Sequence, residues 1–99
     1  MSGQVHHTPS GDTLADALTA EKAEQCILNV KNVLEAANLD LAHVVKCTCF
    51  LTDMSQFPEF NEVYAKYFDA TKPARLCVAV KQLPLGCTVE VEAIAIEKL

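Results

Sequence analysis

The sequence predicts an α+β domain, one mixed β-sheet with two helices packed on one face. Three observations carry this. Ala23, Ile27, Val30, Leu34 and Ala37 recur at helical spacing, Phe60, Val63, Tyr64, Tyr67 and Phe68 do so again, and runs rich in β-branched residues stand between and after them. The element order is strand end, helix, strand, helix, strand, strand.

At 99 residues the chain is long enough for one domain. With 51% hydrophobic residues and a net charge of −5, it is neither disordered nor of low complexity. The acidic balance, 8 Lys and Arg against 13 Asp and Glu, speaks against general nucleic-acid binding, which needs clustered cations. No apolar run approaches a membrane span, and no basic-then-apolar leader is visible. Five cysteines, an odd number without such a leader, fit a reduced, cytoplasmic chain. Cys47-Thr48-Cys49 lacks a second ligand pair, and adjacent His6 and His7 diverge, so no metal site is expected.

Residues 2–5 read as a strand end and 6–12 as a turn-rich loop. Thr19 offers an N-cap, with Glu21 in the first turn, for a helix over about residues 19–37. Asn38 suits a left-handed C-cap. Residues 43–52 read as a strand with Val45, Cys47, Cys49 and Leu51 on one face and Val44, Lys46, Thr48 and Phe50 on the other. Ser55 is placed to cap the second helix, with Pro58 in its first turn. Residues 74–82 form a strand with Leu76, Val78 and Val80 on one face and Arg75, Cys77 and Ala79 on the other. Residues 88–97 form the last, with Val89, Val91, Ala93 and Ala95 opposite Glu90, Glu92, Ile94 and Ile96. Two helices cover one sheet face, so the face carrying Thr48, Phe50, Cys77 and Ile94 calls for a partner subunit.

Arg75 and Glu90 are costly on covered strand faces unless paired. One reading pairs them with each other or leaves them at a solvated edge. The other is an anion site, with Arg75 as a bidentate carboxylate clamp and Glu90 placing a water or moving a proton. Glu92 shares the parity of Glu90. A cation beside Cys77 would lower its thiol pKa, but without a nearby histidine base Cys77 reads as a pocket wall. Asn61, beside the aromatic stripe, could bond a local backbone group or a neighbouring subunit.

Several segments taken together resemble one family. They are Ser2-Gly3-Gln4-Val5, Asn29-Val30-Lys31 with Leu34-Glu35-Ala36-Ala37, and Val44-Val45-Lys46 leading to Phe50-Leu51-Thr52-Asp53-Met54. Phe60-Asn61-Glu62-Val63-Tyr64, Pro73-Ala74-Arg75-Leu76-Cys77-Val78 and Val89-Glu90-Val91-Glu92-Ala93-Ile94-Ala95 complete the set. The chain resembles the RidA family, also called YjgF/YER057c/UK114 and endoribonuclease L-PSP. The resemblance implies a chorismate-mutase-like fold, a homotrimer with sites between subunits, and no cofactor or metal. It further implies a 2-enamine/2-imine deaminase that hydrolyses 2-aminoacrylate-type species to 2-keto acids and ammonia. Arg75 would then clamp the substrate carboxylate, Glu90 would position water, and Ser2 and Cys77 would line the pocket. Against the family pattern, residues 1–99 read as a single domain that is N-terminally short, with Met1 directly before Ser2 where a β-hairpin bearing a Gly-Pro-Tyr segment is usual. The competing readings are an RNA-cleaving translation inhibitor and a non-catalytic binding or chaperone-like trimer. A cytoplasmic location is expected, with a mitochondrial one as the alternative.

Overall fold

The structure, a computed structural model, describes residues 3–6, 8 and 17–97. Strand β1 (Gln4–Val5) leads to helix α1 (Thr19–Ala36), strand β2 (Val44–Leu51), helix α2 (Phe57–Phe68), strand β3 (Ala74–Ala79) and strand β4 (Val89–Ala95). The sheet order is β1-β4-β2-β3, with β2 parallel to β3 and antiparallel to β4, and β1 antiparallel to β4. This is the mixed sheet with two helices that the sequence predicts.

Both helices lie on one sheet face. From α1, Ala23, Cys26, Ile27, Val30 and Leu34 are buried, and from α2, Phe60, Tyr64 and Phe68. They meet Cys47, Cys49, Leu51, Val89, Val91 and Ala93 of the sheet in one core. The helices are also tied to each other, the Tyr67 hydroxyl donating to Glu24 Oε1 at 2.5 Å.

The helix ends depart from the local sequence signals. Leu18, not Thr19, is the N-cap of α1, and it supplies no side-chain bond. The free Ala20 N–H donates instead to Glu59 Oε2 of α2, 2.6 Å away, so the cap comes from 39 residues downstream. Replacing Glu59 with Ala should therefore destabilise the fold by about 1 kcal/mol, the usual worth of an N-cap. A melting temperature lowered by a few degrees in calorimetry would show it, and an unchanged one would show that the bond contributes nothing. At the other end α1 stops at Ala36, leaving Ala37 exposed, and Asn38 takes the left-handed conformation at φ 61° as predicted. The N-cap of α2 is Gln56, not Ser55, and supplies no side-chain bond; the side-chain cap lies one turn earlier, at Asp53. Its Oδ1 accepts from Ser55 N–H, and its own N–H donates to the Gln56 side chain, closing a capping box on the turn Met54–Gln56. Pro58 sits in the first turn of α2, where its missing N–H costs nothing.

Two face assignments change. A register irregularity between Val44 and Lys46 buries Val44 with Cys47, Cys49 and Leu51 and leaves Val45 exposed. Strict alternation puts Val45 with the cysteines, and one irregular pair reverses it. Cys77 registers beside Cys49, and Arg75 beside Cys47, so both belong to the helix-covered face and not to the open one. The open face carries Thr48, Phe50, Glu90, Glu92 and the exposed apolar residues Leu76 and Ile94, which are 52% and 47% accessible.

Candidate active site

Arg75 is the second residue of the edge strand β3, on the side facing α2, and its side chain reaches that helix. Its Nη1 donates to Asn61 Oδ1 at 2.5 Å. Its guanidinium lies 4.5 Å from the centre of the Tyr64 ring and 5.4 Å from that of Phe57. A planar cation stacked on one ring and bonded at one edge keeps its other donors free for a carboxylate, the ligand that its fork matches. The cleft beside it, about 280 Å³, is lined by Asn61, Tyr64, Phe68, Lys72 and Arg75 among others. Small organic acids fit such a space.

The aromatic floor is itself fixed. Tyr64 stacks on Phe60 at 6.1 Å and meets Phe68 at 4.7 Å. Its hydroxyl is buried beside the Cys47 thiol, with no hydrogen-bond partner of good geometry among the described residues. Burial pushes the Cys77 thiol up, and the Arg75 cation offsets this only in part. Cys77 therefore stays a thiol at neutral pH, against the lowering that the neighbouring arginine alone suggests, which suits a wall rather than a nucleophile.

Glu90 lies elsewhere. It is half-buried on the open face of β4, opposite Phe50 of β2. Burial, and then the nearby Glu92 carboxylate, push its carboxyl up. Its head rests on the backbone of Gly3, where a Cβ would stand 2.7 Å from Oε2. Two strand spacings and three residues separate Arg75 from Glu90, roughly 14 Å, and the sheet lies between them. The pairing of Arg75 with Glu90 within one chain is thus excluded.

Among the predicted site residues, then, the structure groups Arg75 with Cys77 and sets Glu90 apart. Ser2 lies outside the described residues. The Asn61 side chain holds the Arg75 guanidinium rather than a local backbone group. Its spacing from Tyr64, one helical turn on the same side of α2, is the signal that could have found it. Nothing in the local sequence marks Gly3 as the seat of Glu90. Among the described residues no group of three or more His, Cys, Asp or Glu could hold a metal ion, and no helix is long and apolar enough to cross a membrane.

The family model described as Endoribonuclease L-PSP matches residues 1–97. Protein HMF1 of Saccharomyces cerevisiae is 56% identical over 98 residues, covering 99% of this chain and 75% of its own. The human protein named 2-iminobutanoate/2-iminopropanoate deaminase is 40% identical over 97 residues, 98% of this chain and 71% of its own. Among solved structures, E. coli TdcF with bound serine superposes with a TM-score of 0.92 at 38% identity, over 99% of this chain and 79% of that one. Fold and sequence define a small α+β protein built on a mixed sheet with two helices on one face. The chain belongs to the endoribonuclease L-PSP family, the RidA/YjgF proteins.

Proposed function

We propose that this protein is a 2-enamine/2-imine deaminase, hydrolysing small 2-imino acids to 2-keto acids and ammonia at sites shared between the subunits of a homotrimer. The observation that carries the reading is the division of the site. One chain presents a braced carboxylate clamp at the β3 edge and an acidic group with a raised pKa on the far face of the sheet. A second copy covering the open face would bring its Glu90 toward the first copy's Arg75 and bury Leu76 and Ile94 at the same time. The name of the human relative, a 2-iminobutanoate/2-iminopropanoate deaminase, supports the substrate class.

The chemistry needs little more. An iminium carbon is already electrophilic, so orientation and a placed water supply most of the acceleration. Arg75 holds the substrate carboxylate and so fixes the C=N carbon relative to Glu90. The Glu90 carboxylate takes a proton from water as its oxygen bonds to that carbon. Glu90 then returns that proton to the carbinolamine nitrogen, which leaves as ammonia, and the hydroxyl proton released as the C=O forms goes to the departing ammonia, giving ammonium. A raised carboxyl pKa makes Glu90 a better base, provided it is ionised. Activity should therefore fail on the acid side at a pH above the ordinary glutamate value of about 4.3. Cys77 and, at the start of the chain, Ser2 would line the pocket. The five cysteines are free thiols, and the cytoplasm is the proposed location.

The test supplies 2-aminoacrylate from a serine dehydratase and follows release of the 2-keto acid. Wild type should shorten the lifetime of the imine. Arg75→Ala and Glu90→Gln should each lose about a hundredfold or more in kcat/KM, the scale of removing one member of a charge-assisted contact. Equal rates for Arg75→Ala and wild type would sink the mechanism.

A further inference from the structure

His6 is 1% exposed. Its Nε2 accepts the backbone N–H of Thr88 at 3.0 Å. An accepting nitrogen carries no hydrogen, so this ring is neutral, with its proton on Nδ1. His6 follows β1 directly, and Thr88 directly precedes β4. The bond therefore extends a short ladder beyond its two registered pairs, Gln4 with Val91 and Val5 with Glu90. Asn29 Nδ2 of α1, which donates to Val5 O at 2.8 Å, adds a second hold on the strand. At the other end of β1, Gly3 backs the Glu90 carboxylate, and a side chain there would collide with it. The position of that carboxylate thus depends on β1 being seated on β4.

We propose that His6 is a positioning residue for Glu90: its neutral ring seats β1 on β4, and β1, through Gly3, sets where the Glu90 carboxylate lies. The catalytic consequence rests on the deaminase reading, while the tether itself does not. Protonation places a hydrogen on Nε2 and turns the Thr88 contact from attraction to repulsion, which unseats β1. Among the described residues, the titratable groups in this corner are Lys22 and Cys26 of α1, Cys87 beside Thr88, and Glu90 with Glu92 on β4. Lys22 Nζ donates to Thr88 Oγ1 at 3.2 Å, so a charged imidazole would enter beside a like charge. Burial pushes both thiols up, so they add no charge near neutrality.

NMR of the full chain follows the Thr88 amide and the Glu90 carboxyl carbon as the pH is lowered from neutrality until the His6 ring protonates. In wild type, Thr88 hydrogen exchange should quicken about tenfold beyond its intrinsic pH dependence as His6 protonates, and the Glu90 signal should shift with it. His6→Gln supplies an acceptor that does not titrate, so Thr88 should stay protected throughout. His6→Leu should lose that protection at every pH. In the deaminase assay, the kcat of wild type should fall with the protonation of His6 while KM holds, because Arg75 is remote, and His6→Gln should lack that limb. A Thr88 amide indifferent to His6 protonation would overturn the tether. A Glu90 carbon signal in His6→Leu that matches wild type at neutral pH would overturn the positioning role, whether or not the chain turns over imines. Wild type that releases no 2-keto acid while both NMR signals respond would support the tether and count against the deaminase reading alone.

Discussion

Co-expressed Arg75→Ala and Glu90→Gln chains, isolated as mixed trimers through two different tags, should recover about one third of wild-type activity although each variant alone is inactive. The arithmetic follows from the geometry. Within one chain the sheet stands between Arg75 on the helix side and Glu90 on the open side. In the proposed trimer a complete site takes its arginine from one copy and its glutamate from the next. A ring of three that holds both kinds of chain has one junction where an intact Arg75 faces an intact Glu90. Both substitutions leave the core alone, since Arg75 is exposed and Glu90 half-buried. Mixed trimers as inactive as their parents, with assembly verified by mass, would mean that the two residues do not work across a junction.

The core faces of both helices are legible in the sequence because burial repeats at 3.6 residues, and Phe60, Tyr64 and Phe68 mark α2 unmistakably. The last strand is legible because Val89, Val91 and Ala93 alternate strictly with charged or exposed positions. The features that local sequence does not reveal are set by nonlocal contacts. Thr19 has the chemistry of a cap, but Glu59 reaches the helix end from another element. Val45 follows alternation until a single irregular pairing with β4 reverses it. The sequence pattern alone places Cys77 on the open face, because parity within a strand says which residues share a side, never which side meets the helices. Only the register of β3 on β2 decides that, and it moves Arg75 and Cys77 together onto the helix-covered side. The candidate residues Arg75 and Glu90 were visible as charges in strands, whereas their supports were not. Asn61 contacts Arg75 across 14 residues, and Gly3 contacts Glu90 across most of the chain.

Phe60→Ala should cost roughly 3–5 kcal/mol, the usual range for emptying a buried phenylalanine site. For a domain of this size, whose whole stability is of order 5–15 kcal/mol, that is a large share. Phe60 is fully buried and stacks on Tyr64, and Tyr64 in turn carries the Arg75 guanidinium on its face. The loss should therefore reach the site as well as the fold. With its backing removed, the Tyr64 ring gains freedom, the cation above it is less well aimed, and KM for the imino acid should rise more than kcat falls. Phe60→Leu keeps most of the volume and should cost under about 1.5 kcal/mol, which separates the cavity from the substitution itself. Urea unfolding of the two variants measures both numbers. A loss below 1 kcal/mol for Phe60→Ala would show that α2 is not anchored through this ring, and the rigid platform beneath Arg75 would then have to come from Phe68 alone.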